Sequence, residues 1–291
     1  MEKSRQNLCV LLLLITMLIW AGSFIAIKIS LLELKPCNLA FYRFAIATPL
    51  LLLFIYASGK LQLPNRKDIP AILLLALTGV TMLYIVQFIA LMYTTATNSS
   101  ILINTSAIFV ALMSIFAGES LTKTKILGLF ISFIGIMLIF SNGKIEFFTS
   151  KTFLGDILMI FDGFLWAIYT VIGKNMLKRY NPYSLTFYAF LAGTIMLFPF
   201  AAAEGIINIT SLKLSTWISV LYLSVLCSVV AYIIWYYALT VMDATKVAVF
   251  VYIIPLFTAI MAFIILKEQI TQYTALGGLL IMLGVYLVER S

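Results

Sequence analysis

The chain has 291 residues, 63% of them hydrophobic and 10% charged, with a mean hydropathy of +1.11. A soluble globular chain is about half apolar and about a quarter charged, so these figures describe a polytopic membrane protein with short loops and no soluble domain. The net charge of +8 belongs to basic loops at the inner membrane face rather than to nucleic-acid binding. The absence of His excludes His-based triads, His metal sites and His proton relays. Cys9, Cys37 and Cys227 lie in or beside apolar runs and form neither a disulfide framework nor a zinc spacing.

A membrane-crossing helix needs about 20 apolar residues. Apolar runs between polar or Pro/Gly breaks predict ten helices, at 8–29, 38–57, 69–93, 97–117, 125–141, 154–175, 183–203, 214–240, 245–266 and 272–288. The runs are unbroken rather than alternating, which excludes barrel strands. The first run, after MEKSRQN, is too long for a signal peptide's apolar core and reads as a retained helix.

Polar residues stand out in chain order. Thr16, Trp20 and Ser23 share one face of the first span by i, i+4, i+7 spacing. Arg43 lies inside the second span, Tyr84 and Gln87 in the third and Asn104 in the fourth, whose end carries Glu119. Asp162, Trp166 and Tyr169 repeat the i, i+4, i+7 face in the sixth, and the eighth offers Ser228, Tyr232 and Trp235. Tyr252 and Pro255 follow in the ninth, with Glu268 after it. Polar groups in lipid are costly, so these faces should point into the bundle.

The expected cavity wall is Trp20, Ser23, Tyr84, Gln87, Asn104, Asp162, Trp166, Tyr169, Tyr232, Trp235 and Tyr252. Such an aromatic wall suits a flat apolar or cationic substrate. Arg43, Glu119, Glu268 and Pro255 read as structural or coupling residues. The two glutamates cap the helix that follows each, and Pro255 marks a kink. Arg43 could pair with Asp162, snorkel outward or bind a substrate carboxylate. Asp162 reads as the residue that orients substrate or carries a coupling proton. No catalytic residue, metal site or cofactor is expected.

Several positions recur. A shift of 146 lays Trp20 on Trp166, Lys28 on Lys174 and Pro36 on Pro182; a shift of 148 lays Tyr84 on Tyr232; a shift of 149 lays Glu119 on Glu268 and Gly135 on Gly284. The chain therefore divides into repeats at 1–145 and 146–291. Five spans per repeat is odd, so the second copy enters the membrane from the opposite side. The fold class is an all-α membrane protein of ten transmembrane helices in two inverted five-helix repeats. With the N-terminus inside, twelve Lys and Arg fall on the inner side and six on the outer, which puts both termini in the cytoplasm.

LIWAGSFIAIK, the Pro-then-LAFYRF start of the second span, AGESLTKTKILG and its echo LKEQITQYTALGG together resemble the drug/metabolite transporter superfamily, EamA type. The resemblance covers essentially the whole chain. It implies a central cavity lined mainly by spans 1, 3, 4, 6, 8 and 9, with spans 5 and 10 peripheral. It also implies secondary active transport of a small organic metabolite, such as an amino acid, amine or drug-like compound, across the cell membrane by alternating access, usually as export. Lipid or lipid-linked flipping and nucleotide-type metabolite exchange are alternatives within the same fold. The expected partners are the substrate, membrane lipid and a coupling proton, with no nucleic acid, in a monomer or homodimer.

Overall fold

The computed structural model describes residues 2–116, 122–141, 152–206, 209–242, 247 and 249–290, and every regular element among them is helical. In chain order these are α1 (Glu2–Ser30), α2 (Pro36–Ala57), α3 (Arg66–Tyr93), α4 (Ala96–Leu102), α5 (Ser106–Phe116) and α6 (Lys123–Ser141). They are followed by α7 (Phe153–Met176), α8 (Pro182–Glu204), α9 (Leu214–Val241), α10 (Ile253–Leu266) and α11 (Gln272–Arg290). Among the described residues, six helices are long and apolar enough to cross a membrane: Asn7–Ser30 within α1, then α2, α3, α7, α8 and α9. Shorter apolar helices are Ile126–Ile139, Ile253–Leu266 and Gln272–Gly284.

Local sequence sets the boundaries. Pro36 and Pro182 open α2 and α8 at their first helical positions, where the missing N–H has no helical partner to lose. Asn181 caps α8 by accepting from the Ser184 amide at 2.8 Å. Thr95 caps α4 by accepting from the Asn98 amide at 2.9 Å, so only two residues turn the chain from α3 into α4. The fourth apolar run is not one α-helix as its length suggested. A 3₁₀ turn at Ile103–Thr105 separates α4 from α5. There Asn104 Nδ2 donates to the Ser100 carbonyl and Thr105 Oγ1 to that of Leu102, side-chain bonds that compete with the helical ladder. A matching 3₁₀ turn, Val249–Tyr252, precedes α10. Pro255 therefore sits in the first turn of α10, where proline is tolerated, rather than at a kink within it.

The burial pattern is that of a protein whose surroundings are hydrocarbon. Arg43 is 2% exposed and Asp162 0%, whereas Leu53 is 66% and Phe130 63% exposed. α2 packs along α8, α3 along α7, α6 along α11, and α1 against α9 and α10.

Two sets of polar contacts tie the connectors together, separated by the length of α2. At one, Glu33 accepts from the Thr216 hydroxyl (2.5 Å) and the Lys213 amide (3.0 Å). These bonds, the Thr216 one foremost, hold its carboxyl below the usual range. Glu204 accepts from both the amide and the side chain of Asn38 at 3.1 Å. At the other, Arg179 pairs with Asp68 at 2.6 Å and the Tyr180 hydroxyl donates to the same carboxylate at 2.7 Å.

Glu268 does not cap α11, the helix after it. It accepts from the Ala96 and Thr97 amides at 2.8 and 3.2 Å, satisfying the exposed donors at the N-terminus of α4. Thr271 caps α11 instead, accepting from the Thr274 amide at 3.1 Å. Lys28 donates to the Thr94 carbonyl at 2.6 Å beside this junction. Glu119 lies outside the described residues.

α6 and α11 approach through glycines. A Cβ on Gly135 would stand 2.6 Å from the Gly277 carbonyl, and one on Gly277 2.7 Å from that of Gly135. Small residues let helix backbones close in lipid, where dispersion rather than water exclusion drives packing. Gly135→Leu should therefore force the two helices apart and destabilise the protein by about 1–3 kcal/mol. A lowered thermal midpoint in detergent would show it; an unchanged midpoint would mean the contact is dispensable.

Candidate functional site

A cavity of about 70 Å³ lies between α1, α2, α3, α7, α9 and the two 3₁₀ turns with the first residues of α5 and α10. Its aromatic wall is Trp20, Tyr84, Trp166 and Tyr232; Ser23, Arg43 and Gln87 supply polar groups. Trp20 and Trp166 meet edge to face, their centroids 5.7 Å apart, and each also packs on Tyr232, at 6.2 and 5.8 Å.

The helices carry π turns beside this wall, Leu77–Thr81 in α3 and Tyr222–Val230 in α9. Such turns break the regular ladder and leave carbonyls for other donors. The Gly79 carbonyl accepts from the Tyr232 hydroxyl at 3.3 Å, the Cys227 carbonyl from Trp20 Nε1 at 3.1 Å and the Leu223 carbonyl from Ser228 Oγ at 2.9 Å.

Arg43 connects the two turns. Its Nε donates to Ser228 Oγ at 2.7 Å and its Nη2 to the Tyr84 hydroxyl at 3.1 Å. The Tyr84 and Tyr232 hydroxyls are 2.6 Å apart. A carbonyl only accepts and a guanidinium only donates, so the chain has one direction: Arg43 to Tyr84, Tyr84 to Tyr232, Tyr232 to Gly79. The guanidinium also lies 4.1 Å from the Tyr84 ring centroid and 5.4 Å from that of Phe44, a cation–π arrangement.

With this geometry in view, comparison with known proteins identifies the lineage. The model of the EamA-like transporter family matches residues 7–141 and again 153–290. The chain belongs to the EamA-like transporter family. A relative in Archaeoglobus fulgidus, described as an uncharacterized transporter, is 56% identical over 281 residues, covering 97% of each chain. Another, in Streptantibioticus cattleyicolor, described as a probable terminal-alkyne amino-acid exporter, is 26% identical over 96% of this chain and 92% of its own. A solved crystal structure shares the fold with a TM-score of 0.69 at 16% identity, covering 97% of this chain and 96% of that one.

Within this EamA-like fold, Trp20, Ser23, Tyr84, Gln87, Trp166 and Tyr232 line the cavity. Four other expected wall residues stand one layer back. Asp162 is fully buried behind Gln87, whose Nε2 donates to Asp162 Oδ2 at 2.9 Å; its other carboxylate oxygen has no partner among the described residues. Tyr169 stacks on Tyr236 at 5.5 Å. Trp235 backs Trp20 at 5.4 Å, and Asn104 bonds within its own segment. The Tyr252 side chain lies outside the described residues.

Arg43 and Asp162 form no ion pair with each other among the described residues; each is held by neutral groups instead. Arg43 faces the cavity, a placement that the sequence left among three alternatives. The reading from sequence passed over Ile103, Ser106, Val251 and Ile254, which also line the cavity. A usable signal existed: Ile103 and Val251, and likewise Ser106 and Ile254, are separated by the same 148 residues as Tyr84 and Tyr232.

Gln87→Leu should leave the buried Asp162 carboxyl without its hydrogen bond. An orphaned buried polar group costs about 1–3 kcal/mol. Thermal unfolding in detergent should show that loss, and adding Asp162→Leu should recover part of it. Equal stability of Gln87→Leu and the parent would mean that water replaces the amide.

Proposed function

We propose that this chain is a secondary active transporter that exports a small organic metabolite across the cell membrane by alternating access. In this reading ten crossing helices form two inverted five-helix repeats, 1–145 and 146–291, with both termini in the cytoplasm. Two halves related in this way can exchange conformations and open a midplane site to either side.

The observation that carries the reading is that repeat-related residues touch each other at the cavity. Trp20 meets Trp166, Tyr84 meets Tyr232, and farther along Thr48 meets Thr194 with hydroxyls 3.0 Å apart. Residues that contact their own counterparts lie on the axis relating two copies. The α6–α11 pair agrees: the contact of Gly135 with Gly277 has its counterpart in Gly284 against the Gly128 carbonyl. Family membership supports transport, and the relative described as an amino-acid exporter supports the outward direction and a metabolite-sized substrate. The cavity at the axis is where substrate binds, and Asp162, beside it but sealed behind Gln87, carries the coupling proton.

Metabolite profiling of cells with and without the chain should identify the exported compound. Purified protein in liposomes should then exchange it in saturable counterflow. Linear flux would indicate a channel, and headgroup scrambling a flippase. Trp20→Ala and Trp166→Ala should each weaken apparent affinity by about 2- to 30-fold, the range of one lost ring contact. Normal transport at low substrate by both variants would move the binding site elsewhere.

The same vesicles test coupling. Asp162→Asn keeps the shape and removes titration, so counterflow should persist while the response of net transport to a pH gradient disappears. A retained response would take Asp162 out of the mechanism.

A further inference from the structure

We propose that Arg43 makes the cavity a receptor for an organic carboxylate: the substrate's carboxylate sits on the guanidinium and its apolar body rests against the Trp20 and Trp166 rings. This names the substrate class for the transport reading above and rests on it.

Among the described residues, Arg43 is the one formally charged side chain in the cavity wall. It is 2% exposed and keeps its charge in any protein environment. Among the described residues no carboxylate pairs with it, and its bonded neighbours, Ser228 and Tyr84, are neutral. Those bonds use two of the five N–H groups of a guanidinium, and Nη1 has no acceptor among the described residues. A permanent cation without a counter-ion in a low-dielectric interior is strongly disfavoured until an anion reaches it. The free edge of the guanidinium matches the two oxygens of a carboxylate.

The same geometry argues against a cationic substrate, which the aromatic wall taken alone would suit. Arg43 already occupies the face of Tyr84, with its guanidinium carbon 4.1 Å from the ring centroid, and repels a second positive charge in the cavity. The carboxylate that could have received an ammonium group, Asp162, is fully buried and presents Gln87 to the cavity in its place. The site therefore recognises the acid function and makes no demand for an amine.

The test compares three compounds that share a phenylpropyl body and differ in head group: 3-phenylpropanoate, 3-phenylpropanamide and 3-phenylpropylamine. Quenching of Trp20 and Trp166 fluorescence in the purified full-length protein reports binding. The acid should bind about 10- to 100-fold more tightly than the amide, the range for hydrogen bonds to a charged group, and the amine should bind most weakly. Arg43→Gln should erase the difference between acid and amide. If that variant does not fold, the parent series together with Arg43→Lys, which keeps the charge but loses the fork, decides the matter: the preference for the acid should persist in reduced form.

Equal binding of acid and amide, tightest binding of the amine, or quenching by none of the three overturns the proposal. So does an Arg43→Gln protein that loses stability but keeps the parent's ratio of acid to amide, because that is a purely structural arginine. Counterflow in liposomes separates this inference from the one beneath it. Amine exchange without acid exchange removes the carboxylate site and leaves the transporter. Selective acid binding with no counterflow keeps the site and removes the transport reading.

Discussion

Water is missing from the hydrocarbon core, so each polar group this chain places there must find its partner inside the protein. That constraint organises the centre of the molecule. Arg43, Tyr84, Tyr232 and the Gly79 carbonyl form a directed series of donors and acceptors, and Ser228 joins it to the second π turn. The carbonyls of Gly79, Cys227 and Leu223, all within the two π turns, receive Tyr232, Trp20 and Ser228. Aromatic rings fill the space between these bonds and leave a small cavity with one cation in its wall.

The two connector clasps apply similar physics at the edges of the bundle. Glu33 meets Lys213 and Thr216 at one, and Arg179 meets Asp68 at the other. Under the 146-residue shift Glu33 corresponds to Arg179, so the sign of the charge is reversed while the tie is retained. An exposed ion pair contributes little to stability. What such clasps do is fix which connectors stay together at the two edges of the bundle.

The aromatic wall was legible in the sequence because two signals coincided. Helical spacing placed Trp20 and Ser23 on one face and Trp166 with Asp162 on another, and the repeat offset related the two faces. Tyr84 and Tyr232 were legible for the same reason. Spacing gives the direction a side chain takes from its own helix, but not what the neighbouring helix interposes. Asp162 points the right way, yet Gln87 of α3 reaches it first. Trp235 likewise packs against Trp20 and does not line the cavity. Glu268 was recognisable as a cap, yet the amides it satisfies belong to α4, some 170 residues earlier in the chain.

The sequence by itself determined that the chain is helical and membrane-embedded and that it belongs with the EamA-like transporters. Those properties follow from composition, apolar run length and residue offsets, all local or additive along the chain. Only the tertiary structure decided that Arg43 and Asp162 stand apart, one facing the cavity and the other sealed behind an amide. It also decided that a 3₁₀ turn breaks the fourth apolar run. The reason is physical: the partner of a buried polar group is set by which helices touch and at what depth, and that is a property of packing rather than of periodicity.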